Sequence, residues 1–292
     1  MSVQMLNALS IDLEDWFHAE LVRPHAGDAP ERRVEQAVQP MLALLDRFGV
    51  RATFFVVGDV VRHHPELVRR IYQAGHEIGC HGWSHRPLWA LGPEGFAAEL
   101  AEFDRDIAGV VPLDEIIGFR APTFSLDGRT AWGIDLLRRH GFRYDSSIFP
   151  VRNYLYGVDG APDGPYCPTS AELTTDHAAG GLIEFPMTAC RVAGLRVPVS
   201  GGFYLRAFPL AVLRRLLARV NASGQPIVLY VHPWEGDAGT PRLKQLSPMT
   251  RFITYYNLAG TLKKLEALLQ GFNLAPLRDV LQLQDARRMP CP

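Results

Sequence analysis

Apolar and polar positions along the chain follow two periods that take turns. Residues 6–11 form an apolar run ending in acids, which predicts a buried strand. Val38, Met41, Leu42, Leu45 and Phe48 then recur at helical spacing until Gly49 stops them. "ATFFVVG" (52–58) is rich in β-branched and aromatic residues and ends on glycine, the mark of a central strand. Pro65 opens a second helix, with Leu67, Val68, Ile71 and Tyr72 on one face and Gly75 as its stop. A short strand at 76–80 follows. The rhythm continues with a helix near 94–108, a strand at 116–119, a helix at 128–140 and a strand at 142–145. Residues 150–203, rich in Pro, Gly and Tyr, break it and predict loops with short antiparallel strands. A helix at 209–220, a strand at 226–232 and a last helix over about 256–270 resume it. Such alternation with short connections predicts a parallel sheet or barrel.

Composition narrows the picture. The 292 residues suffice for one large α/β domain. With 30 basic and 31 acidic residues the formal net charge is −1, which argues against nucleic acid or an anionic membrane as partner. The longest apolar runs, such as 227–231, have strand length, so no transmembrane segment is expected. The N-terminus lacks a basic start followed by an apolar stretch, so it does not read as a signal peptide and a cytoplasmic location is expected. Cys80, Cys167, Cys190 and Cys291 are scattered and never form C-x-x-C, which suits reduced thiols.

In parallel α/β architectures, functional side chains gather where strands end. The first strand here ends in Asp12, Glu14 and Asp15, and Glu14 shares a face with Asp12 by strand alternation. The strand at 76–80 runs into "HGWSH", with His81 and His85 four apart; the strand at 116–119 ends in Arg120, and the one at 226–232 in His232. Taken alone, the two histidines read as helix caps or core hydrogen-bonders. Their shared address with carboxylates, an arginine and a third histidine changes that reading. Two imidazoles and one carboxylate can hold a divalent ion such as zinc and leave positions open, while a second carboxylate takes a proton from water. Arg120 can keep that carboxylate ionised, and His232 can protonate a leaving amine. This is equipment for metal-assisted amide hydrolysis.

The stretch "TFFVVGDVVRHHPELVRRIYQAGHEIGCHGWSH" (53–85) closely resembles the core of the NodB-like polysaccharide deacetylases, carbohydrate esterase family four. "SIDLEDWFH" (10–18), "HGWSH" (81–85), "GFRAPTFS" (118–125), "YDSSIFP" (144–150) and "LYVH" (229–232) resemble its five motifs in order. "GGFYLRAFP" (201–209) and "HPWE" (232–235) resemble a subgroup associated with exopolysaccharide and exosortase systems. The resemblance implies a distorted (β/α) barrel across residues 1–292 as one domain, with an insertion at about 150–205 and a C-terminal helical extension from about 250. It implies one divalent metal ion, zinc before cobalt, nickel or iron. It further implies Asp12 as catalytic base, Arg120 as its partner, His232 as general acid, and His81 and His85 as metal ligands. The backbone N–H near Thr123 would face the oxyanion. The family's adjacent Asp-Asp is here Asp12-Leu-Glu-Asp15; Asp15, with the usual short side chain, is the expected third ligand and Glu14 its alternative. Gly82 replaces a Ser/Thr whose loop-fixing bond Ser84 is expected to supply. The acetyl-pocket wall lacks the fourth motif's tryptophan, leaving Trp83, Trp234 or an aromatic of 150–203 to form it.

The expected function is N-deacetylation of N-acetylhexosamine units in a bacterial exopolysaccharide or its precursor. An amidohydrolase of a small cyclic amide or ureide, with a closed pocket instead of an open aromatic groove, is the second reading. A silent carbohydrate-binding module is the third.

Overall fold

The computed structural model describes residues 5–177 and 181–283. Cys291 therefore lies outside the described residues. A single parallel sheet organises the molecule. Its strands are β1 (Leu6–Leu13), β2 (Thr53–Val56), β3 (Glu77–Cys80), β4 (Gly118–Phe119), β5 (Tyr144–Asp145) and β6 (Ile183–Glu184). An antiparallel hairpin, β7 (Ala189–Val192) and β8 (Leu195–Pro198), stands apart. β9 (Val228–Val231) and β10 (Asn273–Ala275) complete the sheet. β9 pairs with β1 over Ala8–Ile11, whereas β10 and β2 pair with Leu6–Ala8 and Ser10–Leu13 in succession. Strand β1, from the start of the chain, thus lies between β2 on one side and β9 and β10 from its C-terminal part.

The sheet curls into a half-barrel, and side-chain alternation fills its two faces differently. Ala8, Phe55, Ile117, Tyr144, Val228 and Tyr230 pack together on one face. Their strand neighbours Leu9, Ile11, Phe54, Val56, Leu229 and Val231 pack on the other against the helices. Between β6 and β9 there is no ladder. There the Thr188 hydroxyl takes the Val228 N–H at 2.7 Å, and the Val228 carbonyl accepts from Ser200 Oγ at 2.5 Å, so no buried backbone group of Val228 is stranded.

The helices are α1 (Val34–Phe48), α2 (Gly58–His63), α3 (Pro65–Gln73), α4 (Leu88–Ile107), α5 (Gly133–His140), α6 (Gly202–Ala207), α7 (Leu210–Ala222), α8 (Pro248–Tyr255), α9 (Thr261–Gly271) and α10 (Leu277–Val280). α1 buries Val38, Met41 and Leu45 as its stripe predicts, and Gly49 ends it at φ 62°. α4 starts at Leu88, earlier than the apolar pattern indicates. Its first turn is broken at Gly92 (φ 67°) before the longer segment resumes. The helix expected from 128 begins at Gly133, because the N–H groups of Asp127 and Arg129 bond to Thr130 Oγ1 and Asp127 Oδ1 in a tight turn. α8 was not legible as a helix; Ser247 caps it by accepting from Thr250 N at 3.1 Å, and Pro248 fits its first turn. Among the described residues, no helix is long and apolar enough to cross a membrane.

Candidate active site

The C-terminal ends of β1, β3, β4 and β9 deliver Asp12, His81, Arg120 and His232 to one mouth of the half-barrel. Arg120 is completely buried. Its Nη1 donates to Asp12 Oδ1 at 2.6 Å and to Ser10 Oγ at 2.7 Å. Its Nε donates to the Ser146 carbonyl and its Nη2 to Ser146 Oγ, both at 3.0 Å, and its Cζ lies 4.2 Å from the centre of the Phe55 ring. A guanidinium taken out of water needs this density of acceptors. One oxygen of Asp12 is thereby fixed. The other, Oδ2, stands 3.8 Å from His81 Nε2 and 3.9 Å from His232 Nε2.

His81 is oriented from behind: its Nδ1 lies 2.7 Å from the Arg120 carbonyl, so Nε2 is the nitrogen turned to the pocket. Burial lowers the His81 pKa to about 4, against the raising charge of Asp12, which keeps the ring neutral as a ligand must be. His85 follows in the loop at φ 57°. Its Nε2 stands 2.6 Å from Glu14 Oε2, at an angle that forms no hydrogen bond, and Oε2 has no hydrogen-bond partner. Glu14 Oε1 accepts from Trp234 Nε1 at 3.0 Å. Burial works to raise the Glu14 pKa, but the neighbouring charges of His85 and His232 hold it well below the usual carboxylate range.

Asp15 lies elsewhere. Its Oδ2 accepts from the N–H groups of Arg33 (2.7 Å) and Val34 (3.0 Å), and its Oδ1 from Trp16 N (2.9 Å). It thus caps α1 from a distant segment, since the helix's own first residues supply no side-chain cap. Asp15, the expected third ligand, is thus engaged at α1, while Glu14, its weighed alternative, stands with His81 and His85. The three residues offer one ligand atom each, all within 4.8 Å of one another and all buried. A carboxylate oxygen with no hydrogen-bond partner, facing two imidazoles of which one is held neutral, is a donor set that fits a divalent cation.

His232 is held by a residue to which sequence reasoning gave no role. Its Nδ1 lies 3.0 Å from Glu235 Oε2, which also accepts from His232 N at 3.0 Å. Glu235 in turn meets Arg206 Nε (3.0 Å) and Nη2 (2.9 Å), both side chains being buried. Burial works to lower the His232 pKa, yet the carboxylates of Glu235, Glu14 and Asp12 raise it to about 9. The "HPWE" spacing was the available signal: three residues after a histidine, a short helical turn brings a carboxylate back to it. Gly202 leaves the room. A Cβ there would fall 1.6 Å from Glu235 Oε2, so only glycine fits at this position.

The remaining candidates divide. Thr123 lines the pocket with its backbone at φ 58°. Trp234 also lines it, stacked on His232 at 5.3 Å, and its Nε1 is committed to Glu14. Trp83, considered for the acetyl wall, is absent from the pocket lining and donates to Asp106 at 2.7 Å. Ser84 does help fix the histidine loop, through Glu99 of α4, a partner not foreseen. The Glu99 carboxylate receives Trp83 N (2.8 Å), Ser84 N (2.9 Å) and Ser84 Oγ. His63, at the surface, and His76, whose Nδ1 accepts from Ala52 N at 3.2 Å, stay away from the site.

Together these residues enclose a pocket of about 270 Å³, with Asp12, Glu14, His81, His85 and His232 at its floor and Phe124, Tyr156, Tyr204 and Tyr230 in its walls.

A family model described as "Polysaccharide deacetylase" matches residues 27–144, and one described as "Domain of unknown function (DUF3473)" matches 146–282. A chitooligosaccharide deacetylase of Rhizobium leguminosarum bv. trifolii is 33% identical over 188 residues, 58% of this chain and 82% of the relative. A peptidoglycan deacetylase of Helicobacter pylori is 31% identical over 117 residues, 39% of this chain but only 38% of the relative's length. In structure, a putative polysaccharide deacetylase from Mycobacterium smegmatis aligns with TM-score 0.59 at 22% identity, covering 99% of this chain and 94% of that one. With its half-barrel fold and its similarity along most of the Rhizobium protein, the chain belongs to the NodB-like polysaccharide deacetylases, carbohydrate esterase family four.

Proposed function

We propose that this protein is a divalent-metal-dependent N-deacetylase acting on N-acetylhexosamine units of a bacterial exopolysaccharide or its precursor. One observation carries the reading: Asp12, with one oxygen fixed by Arg120, sits within 4 Å of both His81 and His232, beside a Glu14–His81–His85 donor set. A divalent cation, zinc being the first expectation, would supply positive charge that eases deprotonation of a nearby water and stabilises a developing oxyanion.

The protein's own groups divide the remaining work. Asp12 Oδ2 receives the proton of the attacking water, because Oδ1 is occupied by Arg120. Arg120 keeps the carboxylate aimed through the change in charge. His232 delivers a proton to the departing amine, and Glu235 holds its Nδ1 so that Nε2 faces the pocket. Thr123 and the aromatic walls position the acetyl group. The pocket ends at Tyr154, which is 74% exposed, and this open rim favours a glycan over a small cyclic amide in a closed chamber.

The test joins elemental analysis to acetate release. Wild type is expected to bind about one equivalent of divalent metal, His81→Ala none, and Asp12→Asn to keep the metal while losing acetate release from acetylated glycans. Near-normal turnover by Asp12→Asn would overturn the base assignment. Absence of metal after zinc loading would overturn the hydrolase reading in favour of a binding module.

A further inference from the structure

Beside the catalytic pocket lies a second hollow of about 500 Å³, and the segment 153–156 lines both. We propose that the two form one path, along which a chain of N-acetylhexosamine units passes over Tyr154, so that the protein recognises several consecutive sugars. This deepens the deacetylase reading and rests on it.

The crest between the hollows is held firmly from two sides. Asn153 Oδ1 accepts the N–H groups of Leu155 (2.7 Å) and Tyr156 (3.0 Å), and Asn153 N donates to the Tyr156 carbonyl at 2.9 Å. From the second hollow, Arg129 Nη2 donates to the Leu155 carbonyl at 3.0 Å, while Arg129 itself pairs with Asp127 and lies 4.3 Å above Trp89. Tyr154 is therefore the exposed tip of a braced turn. Leaving a large aromatic in water on such a support costs apolar burial, and an aromatic ring that meets a ligand recovers it.

The chemistry of the second hollow specifies what that ligand is. Asp127, Arg129, Arg152, Asp159 and Glu172 line it, offering donors and acceptors together. This mixture suits a neutral, hydroxyl-rich ligand better than a phosphate, which would gather cations alone. A pyranose ring presents an apolar C–H face to an aromatic and a rim of hydroxyls to polar groups. Tyr154 and the hollow beyond it offer those two surfaces side by side.

The test measures affinity, not turnover. Asp12→Asn protein, otherwise intact, is titrated calorimetrically with di-N-acetylchitobiose and penta-N-acetylchitopentaose. The pentamer is expected to bind about tenfold tighter than the dimer. Adding Tyr154→Ala should bring that ratio close to one, and Tyr154→Phe should restore it. Equal affinities for the two lengths, a ratio that survives Tyr154→Ala, or no binding of either sugar would each overturn the proposal. Acetate release by wild-type protein judges the deacetylase reading separately. Length-dependent binding without acetate release would refute the enzyme and leave the glycan path standing.

Discussion

Exchanging the roles expected for two adjacent carboxylates makes a sharp experiment. Asp15→Ala removes three hydrogen bonds to backbone N–H groups at the start of α1 and beside Trp16. Loss of a helix cap costs about 0.5–2 kcal/mol, and bonds to a charged acceptor lie toward the upper end of that range or above it. Burial raises the Asp15 pKa, which offsets part of the benefit, so we take about 2–3 kcal/mol for the whole change. For a chain of this size that corresponds to a Tm lowered by roughly 4–12 °C. Bound metal should remain near one equivalent. Glu14→Gln should show the opposite pattern, since glutamine retains an oxygen for Trp234 Nε1 but no charge for a cation. Bound metal should fall below about a tenth of an equivalent. Melting both variants in chelator separates the fold's own stability from that added by a bound ion. If Asp15→Ala loses metal as thoroughly as Glu14→Gln while its chelated form melts like wild type, the assignment of the two residues is inverted.

Three further outcomes are expected. Arg120→Lys keeps the charge but cannot reach Asp12, Ser10 and Ser146 together, so kcat/KM for acetate release should fall about a hundredfold or more, with metal content unchanged. Gly202→Ala pushes a methyl group into the Glu235 carboxylate, and kcat should drop at least about tenfold because His232 loses its support; a variant with wild-type kcat would show that Glu235 is dispensable. Burial raises the Asp145 pKa to about 6, although bonds to Glu184 and Ser147 lower it. Its folded-state pKa thus exceeds the unfolded value, so its favourable contribution is present at low pH and is lost as pH rises from about 4 through about 6. Tm measured across that range should therefore move in favour of Asp145→Asn relative to wild type; parallel profiles would contradict the assignment.

The sequence made the clustering of the candidate residues legible because strand ends in a parallel sheet share an address, and Asp12, His81, Arg120 and His232 each lie at the end of a recognisable apolar run. Period-two alternation even put Glu14 on the face of Asp12. The preference for Asp15 came from side-chain length, and nothing local could show that its carboxylate was already taken by α1, whose own N-terminus lacks a cap. Supporting residues were hidden for the same reason. Glu99, Ser146 and Arg206 reach the site from distant segments, and only their partners' burial explains them. Helix α8 and strand β10 were missed because α8 is only eight residues long and buries just Thr254 and Tyr255, and β10 is three residues long, so neither shows a clear apolar stripe.

The gap between β6 and β9 has a consequence for how such a molecule can change over time. A ring closed by hydrogen-bonded strands would tie every loop to the register of its neighbours. Here two hydroxyls, from Thr188 and Ser200, meet the backbone of Val228 where a ladder would otherwise run. Additional chain can enter at that seam without displacing a strand, and the hairpin β7–β8 and helix α6 lie in the segment that crosses it. The groups that hold Asp12 and the histidine loop belong to the continuous side of the sheet. The surface that meets the substrate can therefore be lengthened, shortened or redecorated by inheritance while the reacting groups keep their places.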